Sequence, residues 1–139
     1  MTAGVEALRT PSVRDQVSAE EWQARHDLAA CSRLAVLWGW TDHIYTHFSA
    51  RVPGKEEHFL INAYGLTFPE VTASNLVKVD LAGNLLLDIT GRGHNPAGYV
   101  IHSAVHEARE DVACVLHVHS HYATLVSTLE AGFMPLTQA

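Results

Sequence analysis

The order in which helix-like and strand-like patterns follow one another constrains the fold of this chain most. A capping pattern at Ser18 and Glu21 introduces a helix predicted over Ala19–Trp38. Asn95 followed by a proline predicts a second helix that runs to about Arg109. The remaining short patterned segments are predicted to be five strands and a last helix, namely His43–Arg51, His58–Asn62, Leu76–Leu81, Leu85–Leu87 and Ala113–His119 as strands, and Tyr122–Leu129 as the helix. Strands first, and then helix–strand–helix, indicate an α/β sandwich with a mixed or largely antiparallel sheet.

Length and charge limit the domain count and the classes of partner. A chain of 139 residues with 47% hydrophobic residues suits one compact domain with a buried core. Its 9 basic residues against 15 acidic ones give a formal charge of −6, which argues against a nucleic-acid partner. No run of about 18 apolar residues occurs, and the first residues lack the apolar core of a secretory signal. We therefore expect no membrane partner and a cytoplasmic location.

The two ends of the chain differ from its middle. Residues 1–17 mix small, polar and charged side chains without a helical stripe, so they are predicted to form a flexible leader. Residues 18–139 are predicted to form the domain. Its last ten residues are apolar and carry no polar tail, which favours a domain that is incomplete at its C-terminal end.

Histidine is the residue type that most strongly suggests chemistry, because ten are present and imidazole is the commonest metal ligand. His117 and His119 are two positions apart at the end of a predicted buried strand, where alternate side chains point the same way. Two such rings can share one ion with an open coordination position. The spacing alone is also compatible with one exposed histidine and one bonded to the backbone. His121 extends the pattern, but its direction is uncertain because it begins the next helix.

Other motifs have weaker chemical implications. His102 and His106 share one helix face and are predicted to be buried or hydrogen-bonded core residues, since Ser103 stands where a zincin has glutamate. The Gly91–Gly93 loop matches neither a Walker A motif nor a dinucleotide fingerprint, and an anion site and a plain connection are both compatible with it. Cys31 and Cys114 form no CxxC motif and are predicted to be single buried thiols.

Three long stretches, in this order, resemble the class II aldolase/adducin family, and more specifically its adducin-like bacterial branch. They read RLAVLWGWTDHIYTHFSARVPG, FLINAYGLTFPEVTASNLVKVDLAGNLL and NPAGYVIHSAVHEAREDVACVLHVHSHYAT. The resemblance covers about residues 20–130. It implies a three-layer α/β/α sandwich around a mixed, mostly antiparallel sheet, often assembled as a homotetramer.

The resemblance also implies a chemistry. Enzymes of this family hold a divalent metal, usually zinc, and cleave or epimerise small hydroxy-carbonyl sugars through an enediolate. His117 and His119 match the His-x-His ligand pair of the family. The third ligand in the family is a histidine further downstream, which corresponds to a position beyond residue 139.

The sequence departs from the sugar-phosphate aldolases at several functional positions. Gly98 stands at the place of the acid/base glutamate, and Pro96 and Ala97 replace two phosphate-binding serines. Thr46-His47 and Tyr64-Gly65 replace two further substrate-contacting pairs. The candidate substrate-binding residues are therefore His47, Tyr64, Gly65 and His94, with His94 a possible proton donor, and no catalytic residue is assigned.

Two classes of function follow from these observations. The first is a metal-dependent aldolase-type lyase or epimerase that acts on a small non-phosphorylated hydroxy-carbonyl compound. The alternatives are a non-catalytic adducin-like oligomerisation or scaffold domain, as the cytoskeletal role of animal adducins suggests, and a truncated inactive fragment. The enzyme hypothesis requires a third histidine ligand from the full-length protein.

Overall fold

The computed structural model describes residues 12–134 and contains one five-stranded sheet with three α-helices. The elements in chain order are α1 (Ala19–Leu37), β1 (His47–Val52), β2 (Lys55–Asn62), β3 (Leu76–Asp80), β4 (Leu85–Leu87), α2 (Pro96–Ala108), β5 (Cys114–His117) and α3 (His121–Ser127). Two short 3-10 helices, Arg14–Gln16 and Phe68–Glu70, precede α1 and follow β2. The predicted α/β class is confirmed.

The strands pair in the order β4-β3-β2-β1-β5. All four pairings between the described strands are antiparallel, so the mixed component predicted for the sheet does not occur within residues 12–134. In the register, His47 at the start of β1 pairs with His117 at the end of β5. Polar residues from distant parts of the sequence therefore meet at one edge of the sheet.

The two faces of the sheet pack against different helices, as a three-layer sandwich requires. Phe48 and Leu60 belong to an apolar cluster with Leu28 of α1. Their neighbours in sequence point to the opposite face, where Phe59 packs with Tyr99 of α2. Because successive strand side chains alternate between faces, the same short strands contribute to both layers.

Local capping explains where α1 begins. The Ser18 hydroxyl accepts the Glu21 backbone N–H, which is one half of the predicted capping box. The Glu21 carboxylate does not complete the box; it accepts from the buried Arg25 guanidinium at 3.0 Å and from the Lys78 ammonium at 2.8 Å. The helix ends before Gly39, whose φ of 68° is the left-handed conformation that glycine adopts readily.

The predicted leader is only partly described. Residues 1–11 lie outside the described residues. Within the remainder, Arg14–Gln16 forms a 3-10 turn and the Val13 side chain is fully buried, so this part packs onto the domain and is not a loose segment. The domain boundary at residue 17 stays a prediction. None of the helices in residues 12–134 is long and apolar enough to cross a membrane.

The prediction that β5 is a buried strand is wrong. β5 lies at one end of the strand order and pairs only with β1 within the described residues. Its side chains alternate between exposed and half-buried, with Leu116 47% exposed. Cys114, predicted to be buried, is likewise exposed, and Cys31 is half-buried. Apolar composition identified the strand correctly, but composition does not reveal which strand lies at an edge.

Candidate metal centre

His117 and His119 bring their imidazole rings together at the end of β5. His117 is the last residue of the strand, and the chain continues without regular structure through His119 to α3. The backbone N–H of His119 donates to the Trp40 carbonyl at 3.2 Å, which fixes the segment against the end of α1. The two Nε2 atoms are 3.0 Å apart. His121, the first residue of α3, faces Tyr122 ring-to-edge and lines the adjacent cavity.

Asp42 contacts this pair, and the sequence analysis missed it. Its Oδ2 atom accepts a hydrogen bond from Nδ1 of His119 at 2.9 Å. The two residues are 77 positions apart, and no spacing pattern in the sequence connects them. A carboxylate that accepts from the outer nitrogen of a histidine leaves the other nitrogen directed at a ligand, an arrangement common around protein-bound metals.

The pair fits a divalent cation in its chemistry and spacing. Burial, and then the neighbouring His119 ring, lower the pKa of His117, which favours the neutral form that binds metal. Two imidazole nitrogens that share a tetrahedral zinc ion lie about 3.3 Å apart, given N–Zn bonds of about 2.0–2.1 Å. The observed 3.0 Å therefore requires only a small separation of the rings. Within the described residues no three histidine, cysteine or carboxylate side chains converge on one point, so the pair supplies two ligands.

His47 forms the wall of the site beside His117. The two rings stack with centroids 4.6 Å apart and an interplanar angle of 19°. A β-carbon built on Gly98 would lie 2.9–3.1 Å from three atoms of the His47 ring, so the glycine makes room for this imidazole. Burial, and then the His117 and His119 rings, lower the pKa of His47 to about 4. His47 is therefore a neutral ring at neutral pH.

A chain of buried polar groups continues behind His47. Its Nδ1 atom is 2.8 Å from Nε2 of His102, and the Ser49 hydroxyl lies 2.6 Å from Nδ1 of His102 and 2.9 Å from Nε2 of His106. The prediction that His102 and His106 are hydrogen-bonded core residues is confirmed. Burial, and then the neighbouring imidazoles, lower the pKa of His102 to about 3. Burial, and then the Arg51 guanidinium, lower the pKa of His106 to about 4.

The other candidate substrate residues form a second cluster around the Ala63–His94 bridge. The Tyr64 backbone N–H donates to the Gly93 carbonyl at 2.9 Å, and Gly65 has a φ of 78°. The His94 ring packs on Tyr99 at 4.6 Å. Helix α2 begins two residues after His94 and carries Gly98 to His47, which connects the two clusters through the chain.

The glycine-rich loop is a plain connection with its donors already engaged. The Asp88 carboxylate accepts from the Gly93 N–H at 2.8 Å and from the Thr90 N–H at 2.7 Å. At the start of α2, the Asn95 side chain accepts from the Ala97 N–H at 3.0 Å. An anion from solution would have to displace these groups, so the structure favours the connection over the anion site.

A cavity of about 570 Å³ opens beside the histidine pair. It is lined by residues from the end of α1, the following loop and α3, namely Gly39, Asp42, His119, His121, Thr124 and Leu125. Its volume falls in the range of small-molecule sites.

The fold agrees with solved structures of the class II aldolase type. A crystal structure of an aldolase II superfamily protein from Pseudomonas syringae superimposes with a TM-score of 0.87 at 61% identity, and covers 92% of this chain and 52% of that one. L-fuculose 1-phosphate aldolase from Glaciozyma antarctica PI12 superimposes with a TM-score of 0.75 at 34% identity, over 91% of this chain and 51% of that one. The architecture is therefore the class II aldolase fold.

The family follows from the sequence matches. Residues 26–139 match the family described as Class II Aldolase and Adducin N-terminal domain, and the chain belongs to that family. Mouse alpha-adducin is 46% identical over 114 residues, which cover 81% of this chain and 16% of the adducin. A Caulobacter vibrioides protein named for aldolase class 2 is 58% identical over 132 residues, or 95% of this chain and 51% of its own length. The chain thus spans about half the length of the curated bacterial relatives that it matches.

Family membership supports general statements about chemistry. Class II aldolases are generally metal-dependent. The family is typically oligomeric and acts on small sugar-like substrates.

Proposed function

We propose that this chain is the metal-binding part of a class II aldolase-type lyase or epimerase that acts on a small, non-phosphorylated hydroxy-carbonyl compound. One observation carries the proposal: the Nε2 atoms of His117 and His119 lie 3.0 Å apart, with Asp42 holding the outer nitrogen of His119. If the two histidines served only to pack the core, their nitrogen atoms would not need to face each other at a half-exposed edge of the sheet.

His117 and His119 would hold the divalent cation, with zinc the best match to two imidazole ligands. Such an ion, when bound, polarises a carbonyl oxygen and stabilises the negative charge that develops on it. The protein side chains hold the rings in place and shape the adjacent cavity. The third protein ligand would come from outside residues 12–134.

The groups around α2 favour a substrate without a phosphate. The first turn of the helix offers Pro96 and Ala97 in place of hydroxyl side chains, and Asn95 already accepts the Ala97 N–H. The Gly93 N–H of the preceding loop donates to Asp88, so it could donate to a phosphate only if Asp88 were displaced. A neutral hydroxy-carbonyl compound needs none of these contacts.

The candidate substrate-binding side chains are those at the edge of the sheet next to the ion. His47 stacks on His117 and presents a neutral ring where the family carboxylate is replaced by Gly98. Tyr64, Gly65 and His94 would form the more distant wall. The proposal includes a cytoplasmic homo-oligomer, tetrameric as the resemblance implies, and both features rest on the family relationship.

Metal content and chelator-sensitive turnover test the proposal. The purified full-length protein should bind one zinc ion per chain, His117→Ala should abolish binding, and His26→Ala should leave it unchanged because His26 is exposed on α1. Retro-aldol cleavage or epimerisation of small hydroxy-carbonyl compounds by the full-length protein should stop on treatment with a chelator. Failure of the full-length protein to bind zinc under metal-replete conditions would refute the proposal.

An adducin-like interaction domain is the second candidate function. The observation that favours it is an exposed apolar surface on and after α3, where Tyr122 is 80% and Phe133 84% exposed beside a cavity of about 420 Å³. Patches of this kind commonly mark protein–protein contacts. Light scattering on the wild type and on Tyr122→Ser tests it: metal-independent self-association that the substitution abolishes would support this function.

A further inference from the structure

Asp42 lies in the loop between α1 and β1, and it was not among the candidate site residues predicted from the sequence. We propose that Asp42 is a positioning residue, which fixes the ring orientation and the tautomer of His119 so that its Nε2 atom is available to a divalent cation. This inference rests on the proposed metal-binding function and deepens it. In this role, Asp42 turns two neighbouring histidines into a ligand pair that is oriented for a cation before the cation binds.

The hydrogen-bond pattern determines the tautomer. A carboxylate only accepts, so the 2.9 Å contact requires a proton on Nδ1 of His119. The Nε2 atom of a neutral His119 ring then carries a lone pair. In the metal-free protein this lone pair accepts from Nε2–H of His117 across 3.0 Å. A cation can take the same lone pair without any change at His119.

The loop that carries Asp42 is tied to the His119 segment by its backbone as well. The Trp40 carbonyl accepts the His119 N–H, and the Asp42 carbonyl accepts the Tyr45 N–H at 2.8 Å in a tight turn. His43, inside this turn, has a φ of 44° and is the one non-glycine residue with positive φ between residues 12 and 134. Residues held in this conformation cost free energy and cluster at functional sites. Such a conformation persists only where surrounding contacts maintain it, and the backbone hydrogen bonds of Trp40 and Asp42 maintain the turn that carries the carboxylate.

The contact is too exposed to serve mainly as a stabilising ion pair. The side chains of His119 and Asp42 are 39% and 45% exposed, and exposed ion pairs contribute little to stability. Its effect should therefore appear in metal affinity, where loss of such an outer partner typically costs about 10–100-fold.

Zinc affinity and nitrogen NMR test the inference on the full chain. Competition with a chromophoric zinc chelator should show affinity that is about 10–100-fold weaker in Asp42→Asn and Asp42→Ala than in the wild type. Asp27→Asn is the matched control, because Asp27 is an exposed aspartate whose carboxylate also accepts one side-chain hydrogen bond, and it should leave the affinity unchanged. In the metal-free protein, 15N-resolved imidazole spectra should assign His119 to the Nδ1–H tautomer, and Asp42→Asn should mix the two tautomers.

The outcomes separate this inference from the proposed function. Zinc binding that is lost in His117→Ala but unchanged in both Asp42 variants would overturn the role of Asp42 and leave the metal function standing. A wild type that binds no zinc would refute both. Equal thermal stability of the wild type and Asp42→Asn, together with weakened zinc affinity, would exclude a merely structural role.

Discussion

The His47 imidazole occupies the space that a β-carbon on Gly98 would need. The ideal β-carbon position lies 2.9 Å from Nε2, 3.0 Å from Cδ2 and 3.1 Å from Cε1 of His47. By resemblance to the sugar-phosphate aldolases, a glutamate would be expected at position 98. A β-carbon there would force the His47 ring to move, so we propose that the two departures from the family pattern are linked.

Gly98→Ala should lower the free energy of unfolding by about 1–2 kcal/mol. Alanine gains about 0.5–1 kcal/mol in helix propensity, but overpacking a fixed neighbour costs about 1–3 kcal/mol. His47 cannot retreat easily, because it hydrogen-bonds to His102 at 2.8 Å and stacks on His117. Urea denaturation of the metal-free protein measures the change.

The same substitution in a His47→Ala background provides the control. With the ring removed, Gly98→Ala should stabilise the protein by about 0.5–1 kcal/mol, because only the helix propensity remains. Equal effects of Gly98→Ala with and without His47 would contradict this link between the two departures.

Ser49→Ala should destabilise the protein by about 2–3 kcal/mol. The hydroxyl bridges two buried ring nitrogens. Its loss leaves both nitrogens buried without a hydrogen-bond partner, which lowers the free energy of unfolding. Ser103→Ala is the control, since its exposed hydroxyl only donates to a carbonyl of its own helix, and it should change stability by less than about 0.5 kcal/mol. A Ser49→Ala variant as stable as the control would show that the bridge is dispensable.

Arg25→Ala should cost about 3–5 kcal/mol of unfolding free energy. The guanidinium is fully buried, and it donates to the Glu21 carboxylate and to the Ala73 and Leu76 carbonyls. Removing one member of a buried charged group leaves its partner inadequately compensated. Arg109→Ala removes an exposed surface pair with Asp111 and should change the unfolding free energy far less than Arg25→Ala does. If chemical denaturation gave both variants the same loss of unfolding free energy, burial would not explain the contribution of Arg25.

The helices were predictable from sequence because their ends depend on local chemistry. Ser18 and Asn95 cap α1 and α2 through hydrogen bonds within three residues, and the observed ends differ from the predicted ones by about a residue. The first strand was predicted to begin at His43 but begins at His47. The alternation of bulky and polar side chains continues through residues 43–46, where the chain forms a turn instead, and periodicity does not distinguish the two.

Long-range contacts were not predictable from the sequence. The His-x-His spacing singled out His117 and His119, but the partners of the buried and half-exposed histidines lie far away in sequence. Ser49 is 53 residues from His102, and Asp42 is 77 residues from His119. Serine and aspartate are common loop and strand residues, so neither carries a local signal. Only the antiparallel register of β1 with β5 and the packing of α2 bring these groups together.

Acidification should destabilise the metal-free protein well before its carboxylates titrate. The pKa of His102 is lowered to about 3 and that of His106 to about 4, against about 6.5 for histidine in an unfolded chain. Well above pH 6.5 both rings are neutral in both states and contribute no pH dependence. As the pH falls below 6.5, the unfolded chain binds protons that the folded chain does not, so the stability falls by up to about 1.4 kcal/mol per pH unit for each ring. The decline from this source ends only when the folded protein itself titrates near pH 4 to 3.

Urea midpoints at pH 7.5, 6.5 and 5.5 in the presence of a chelator measure the slope of stability against pH. His26→Gln, at an exposed position, should leave the pH dependence of stability unchanged. His106→Gln should reduce this dependence, because one fewer histidine takes up a proton on unfolding. A stability that stays flat between pH 7.5 and 5.5 would show that these rings bind protons equally in the folded and unfolded states, and would contradict the lowered pKa values.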